Sequence, residues 1–131
     1  MTTRNAACSC GQLSITAEGA PVRISMCHCL ACQRRTGSVF GAQAWFPNEK
    51  ITVNGLSSEY CRTADSGNRI TYHFCSKCAS TVFYRAEIFP GRTAVPIGAF
   101  ADPLFPPPTV SVYESRKHVW VQVPMDLEHH D

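Results

Sequence analysis

The sequence predicts a mainly β protein, small, with several short antiparallel strands rolled or partly sandwiched into a sheet. About eight extended segments recur between Gly, Pro and Asn-Gly punctuation, and no amphipathic helix exceeds about two turns. The chain of 131 residues has room for one modest core rather than two, so residues 1–131 are read as a single domain. Its polar end, "MDLEHHD" over 125–131, is expected to fray.

Taken in order, "GQLSITAEG" alternates Leu13, Ile15 and Ala17 on one face between glycines, as a strand does. "PVRISM" then runs into a cluster of cysteines, which is placed on a loop at the strand end. "SVFGAQAWFP" extends to Pro47, and "KITVNG" is a short strand closed by an Asn-Gly turn. "SSEYCRT" reads as another strand. "RITYHFC" sets Ile70, Tyr72 and Phe74 against Arg69, Thr71 and His73. "STVFYRAEIF" and "TAVPIGAF" follow, with Pro96 arguing for an edge or a bulge. The prolines at 106–108 force an extended connection before "TVSVYES" and "HVWVQVP". Phe40, Trp45, Phe46, Phe74 and Phe83 are assigned to the core, with Trp45 placed where it could also line a cleft, and Trp120 is expected to be half-buried.

A formal charge of +2, with Lys and Arg scattered, gives little reason to expect a nucleic-acid surface. Seven thiolates holding two zinc ions would lower that charge to about −1. No apolar run resembles a secretory leader or reaches the ~20 residues that cross a membrane, so the expected compartment is cytoplasmic, where clustered cysteines stay reduced and bind metal.

The eight cysteines carry the functional argument. Cys75 and Cys78 have the C-x-x-C spacing of a zinc knuckle, and Cys8 and Cys10, awkward as a disulfide, supply a second pair. Together they give a closed four-thiolate site of the structural kind. Cys27, Cys29 and Cys32, in "CHCLAC", then form a three-ligand set with an open fourth position, the pattern of a reactive zinc. Two alternatives stay open from the residues alone: a second closed site completed by Cys61, His28 or His73, and a redox dithiol at Cys29 and Cys32. Cys61 itself is read as a buried thiol.

His28 lies between two proposed ligands, so its side chain is expected to point away from their metal; facing a cleft, it would be a candidate proton relay. Arg34 and Arg35 follow the cluster and are candidates to offset its charge or to bind a substrate carboxylate. Gly37 permits a tight turn after them. His129 and His130 are assigned to the frayed end.

The motifs "CSCG", "CHCLACQRRTGS", "FCSKC" and the terminal "VYESRKHVWVQVP", in that order and spacing, resemble the glutathione-dependent formaldehyde-activating enzyme family, also called centromere-protein-V-like. The resemblance covers nearly the whole chain. It implies an Mss4-like, mostly β fold, a structural zinc at Cys8, Cys10, Cys75 and Cys78, and a functional zinc at Cys27, Cys29 and Cys32. It further implies a carbon-sulfur lyase acting on the adduct of glutathione, or a related small thiol, with formaldehyde or another aldehyde. A non-catalytic zinc module binding protein or nucleic acid is the alternative. No membrane partner is expected, and an edge-rich β protein can pair as a homodimer.

Overall fold

The computed structural model describes residues 2–131, and the protein is mainly β, as expected. Three strands, β1 (Thr3–Ala7), β2 (Ser14–Glu18) and β5 (Ile51–Asn54), form a small antiparallel sheet in the order β1-β2-β5. The larger sheet contains β3 (Arg23–Cys27), β4 (Gly41–Pro47), β6 (Ser58–Thr63), β7 (Arg69–Phe74), β8 (Thr81–Ala86), β9 (Arg92–Pro96), β10 (Val110–Val112) and β11 (Glu128–His129). Its order is β11-β10-β3-β4-β9-β8-β7-β6.

The alternation of β2 and β4 explains how the sheets meet. Leu13, Ile15 and Ala17 from the small sheet pack with Ile24, Ala44, Phe46 and Val95 from the large one. On β4, Ala44 and Phe46 therefore face this core, while Gln43 and Trp45 point to the opposite face, where Trp45 packs with Tyr72, Tyr84 and Ala94. The large sheet is thus covered on one side and carries a second aromatic layer on the other. Of the phenylalanines assigned to the core, Phe46 and Phe83 are buried, whereas Phe40 and Phe74 are half-buried.

Several local expectations are corrected. Asn54-Gly55 closes no hairpin: β5 pairs with β2 and β6 pairs with β7, so this turn passes the chain from one sheet to the other. Gly55 has φ +94°, and a side chain there would lie 1.8 Å from the Gln12 carbonyl oxygen. Gly55→Ala is expected to lower stability by at least ~1–2 kcal/mol from the backbone conformation alone, read as a lowered thermal midpoint. Pro96 ends β9, which lies in the interior of the sheet rather than at an edge. The cysteine loop contains a helix, α1 (Leu30–Thr36).

"HVWVQVP" forms no strand. Val121 N–H bonds the His118 carbonyl at 3.0 Å, closing a local turn, and Trp120 is 68% exposed. Cys61 is exposed because β6 is the outer strand of the large sheet. The segment expected to fray instead supplies β11, because β10 has an open edge with unpaired backbone groups. Both neighbours of β10 run parallel to it, which makes the sheet mixed.

His129 Nδ1 lies 2.7 Å from Glu114 Oε2 and fastens β11 to the turn after β10. That hydrogen bond raises the His129 pKa. Its stabilising contribution is therefore complete below the ordinary histidine value of about 6.5 and is lost as pH rises through the raised value. Amide exchange at His130 should accelerate across that interval, and Glu114→Gln should flatten the response.

Candidate metal centres and the adjoining cleft

The seven cysteines singled out by spacing gather into two groups, Cys8, Cys10, Cys75 and Cys78 in one and Cys27, Cys29 and Cys32 in the other. Within each, all sulfurs lie within 4.8 Å of one another. None of the eight cysteines is in a disulfide.

The first group closes the rim of the two-sheet core. Cys8 follows β1 and Cys75 follows β7, and both belong to the core cluster. The Cys8–Cys10 and Cys10–Cys75 sulfur separations are 3.7 and 3.6 Å. A tetrahedral ion with ~2.3 Å zinc–sulfur bonds requires an edge of about 3.8 Å, so the donors fit such an ion. Backbone N–H groups of Leu13 and Lys77 donate to the sulfurs of Cys8 and Cys75, each at 3.3 Å. The Gln12 side chain donates to Cys75 Sγ at 3.2 Å while also bonding the Leu56 carbonyl and N–H. Ala79, at φ 68°, returns the knuckle so that its N–H meets the Cys75 carbonyl at 2.7 Å. A backbone hydrogen bond from Ser80 pulls the Cys78 thiol down to about 5, favouring the thiolate that a metal needs.

The second group is assembled by a strand end and a helix start. Cys27 is the last residue of β3, Cys29 caps α1, and Cys32 lies in its first turn. Cys32 N–H donates to Cys29 Sγ at 3.3 Å, so a sulfur does the work usually done by a capping oxygen. Gly37, at φ 69°, ends the helix by donating to the Gln33 carbonyl. Hydrogen bonds from the Cys27 and Cys32 thiols hold Cys29 low as the anionic member, and the same contact pushes Cys27 up. Among the described residues no fourth His, Cys, Asp or Glu joins this group.

A cleft of about 490 Å3 opens over these three cysteines. Its floor follows the β3–β4 register: Cys27 faces Gly41, Ser25 faces Gln43, and Arg23 faces Trp45. Side chains of one face recur every second residue, so the floor steps away from the sulfurs through a polar pair to an arginine and an indole. Tyr72, Tyr84 and Phe89 complete the aromatic wall. Four arginines, Arg23, Arg34, Arg62 and Arg116, line the cleft with one carboxylate, Asp65. Arg62 donates to the Tyr72 hydroxyl at 3.0 Å, and Gln33 bonds the Arg116 carbonyl at 3.2 Å, tying that arginine's backbone to α1.

The two arginines after the cluster diverge. Arg34 lines the cleft, whereas Arg35 turns beneath it, its guanidinium 5.5 and 5.3 Å from the ring centres of Tyr72 and Tyr84. His28 points away from the sulfurs, as expected of a residue between two ligands. It is fully buried, with Nε2 2.9 Å from Ser111 Oγ and its ring against Phe40, and burial lowers its pKa. It does not line the cleft, and the proton-relay role has no geometric support. Trp45 is both buried and cleft-lining. Arg23, Arg62, Arg116 and Gln43 were not singled out from sequence. Only Gln43 left a signal there, as the lone polar side chain within "GAQAWF".

The sequence model of the glutathione-dependent formaldehyde-activating enzyme family matches residues 3–121. The chain belongs to this family. A solved Rhodobacter sphaeroides protein shares the fold at a TM-score of 0.58 and 19% identity, over 72% of this chain and 85% of that one. No curated protein matches. The family's name joins glutathione to formaldehyde activation, a lyase-type reaction, and two cysteine groups able to hold metal accompany that membership here. Among the described residues no helix is long and apolar enough to cross a membrane.

Proposed function

We propose that this family member is a zinc-dependent carbon-sulfur lyase-type enzyme acting on the adduct of glutathione, or a related small thiol, with formaldehyde or another aldehyde. One observation carries the reading: three cysteine sulfurs, joined by no fourth His, Cys, Asp or Glu among the described residues, lie at the wall of a cleft lined by four arginines. Zinc bound there would hold the thiol sulfur as thiolate through its remaining coordination position. The four-cysteine group would hold a second, structural zinc. A cytoplasmic setting, with reduced thiols, suits both.

The chain's own residues supply binding and orientation. Glutathione has two carboxylates and one ammonium, so its thiolate form is a net dianion, and the cleft offers four guanidinium groups against Asp65. Arg34 is the candidate carboxylate partner nearest the cluster in sequence, with Arg116 held beside it through Gln33. Trp45 and Phe89 stand at the end of the floor away from the sulfurs, where they offer an apolar surface to the rest of a bound thiol. Aldehyde addition to a thiol is intrinsically easy, so fixing the two partners in one geometry is the larger part of the rate gain.

The test is the exchange of 13C-formaldehyde into S-hydroxymethylglutathione, followed by magnetisation-transfer NMR with zinc-loaded protein. Acceleration above the spontaneous rate is expected. Glutathione binding should change Trp45 fluorescence in a Trp120→Phe background, since Trp45 lines the cleft and Trp120 is exposed. Arg34→Ala should weaken that binding roughly three- to tenfold, because the arginine is exposed and its ion pair is screened. Unchanged binding would remove Arg34 from the site.

A further inference from the structure

The four arginines that line the cleft are not equivalent. Arg34 and Arg116 are exposed, and Arg62 is engaged by the Tyr72 hydroxyl. Arg23 is half-buried, and its Nε is buried with no hydrogen-bond partner in the protein. The ion pairs among the described residues all involve histidine, so no carboxylate neutralises Arg23, Asp65 of the same cleft included. Its position is nonetheless fixed. The guanidinium lies over the Phe89 ring, 5.5 Å from the ring centre, and Phe89 meets Trp45 edge-on at 5.0 Å. Trp45 is the residue opposite Arg23 on the β3–β4 ladder. The two rings therefore hold the cation at its own end of the floor, two alternating steps and about 13 Å of strand from Cys27. A cation drawn out of water and left unpaired costs free energy that an anionic ligand would return.

We propose that Arg23 receives a carboxylate of the bound thiol, at the end of the cleft remote from the reacting sulfur, and so selects thiols that carry an acid group at a distance; the inference rests on the thiol–aldehyde reading above. The spacing suits such a ligand. A thiolate held at the three-cysteine group starts at one end of the floor, and either carboxylate of extended glutathione lies about 7–9 Å from its sulfur by ordinary bond lengths. The arginine side chain spans the remainder. Its planar fork can give a carboxylate two parallel N–H bonds while its face stays on Phe89. A neutral thiol at the same sulfurs leaves Arg23 unpaired, so the residue acts on the choice of thiol and takes no part in making the C–S bond.

Calorimetry on the full, zinc-loaded chain tests this with three ligands: glutathione, γ-aminobutyryl-cysteinylglycine, which lacks the glutamyl α-carboxylate, and γ-glutamylcysteine ethylamide, which lacks the glycyl carboxylate. Arg23→Gln should bind glutathione about 10- to 30-fold more weakly than the wild type does, the size of a lost charge-assisted hydrogen bond. It should also cease to distinguish glutathione from one of the two analogues, and that analogue identifies the arm Arg23 holds. Discrimination against the other analogue and zinc content should persist. Arg23→Lys, which keeps the charge and loses the fork, should fall between wild type and Arg23→Gln. Equal weakening of all three ligands would make Arg23 a mere support for Phe89 and overturn the subsite. Glutathione affinity within about twofold of wild type in both variants would overturn it as well, and in either case the lyase reading stands. A wild-type protein that neither binds glutathione nor accelerates exchange would overturn that reading and this inference together.

Discussion

Cys29→Ala protein should hold one zinc per chain where two are expected of the wild type, keep its fold, and lose accelerated formaldehyde exchange. Cys29 bridges the site's two structural parts, since its sulfur is both a member of the group and the acceptor that caps α1. Losing it leaves two thiolates, too few to hold zinc against competing buffer ligands. The fold should survive because the three-cysteine group lies outside the inter-sheet core cluster, which instead contains Cys8 and Cys75. A capping loss costs about 1 kcal/mol, a tolerable fraction of a domain's stability. Metal analysis, circular dichroism and the exchange assay together check the result. Two zincs in Cys29→Ala would place the second ion elsewhere, and full activity with one would separate the chemistry from this cluster.

Cys75→Ala should have the opposite character, with the fold lost first and activity only as a consequence. Cys75 is fully buried, accepts hydrogen bonds from Lys77 N–H and the Gln12 side chain, and joins the turn after β7 to Cys10. Structural zinc in small domains contributes apparent binding energies of about 10–16 kcal/mol at neutral pH, comparable with the ~5–15 kcal/mol that separates a folded domain from its unfolded chain. Removing one of four thiolates should therefore leave little folded protein at 37 °C, and strong chelators should unfold the wild type. Cys61→Ala is the matched control, an exposed cysteine outside both groups, and should melt with the wild type. A Cys75→Ala protein melting within a few degrees of wild type would deny the four-cysteine group its structural role.

These two outcomes differ for a reason that the cysteine spacing already carried. C-x-C and C-x-x-C mark sulfurs that can approach one ion, so both groups could be suggested from spacing, but whether Cys61, His28 or His73 completes the three-cysteine set could not; the fold gathers four sulfurs in one group and three in the other. The β strands were legible wherever one face is buried, as in β2 and β4, where alternation reports a real core. It misled at Trp120, where an alternating run forms no strand, and Cys61, read as a buried thiol, is exposed because β6 is the outer strand of the sheet. α1 was missed because seven residues give barely two turns of periodicity and its cap is a cysteine. Arg23 and Trp45 come together only through the register of β3 on β4, which a linear reading does not supply. The two-residue β11 owes its existence to the open edge of β10 rather than to its own propensity.

The joining of Cys10 to Cys75 across 65 residues also sets an order of events during synthesis. At about 5–20 residues per second, the first pair of thiols leaves the ribosome roughly 3–13 s before its partners. Cys27, Cys29 and Cys32 emerge together in that interval as a complete local donor set. The nascent chain can therefore gather its three-sulfur site while the four-sulfur site is still half made, and the later closure of that second site fastens the amino-terminal sheet to the connection between β7 and β8.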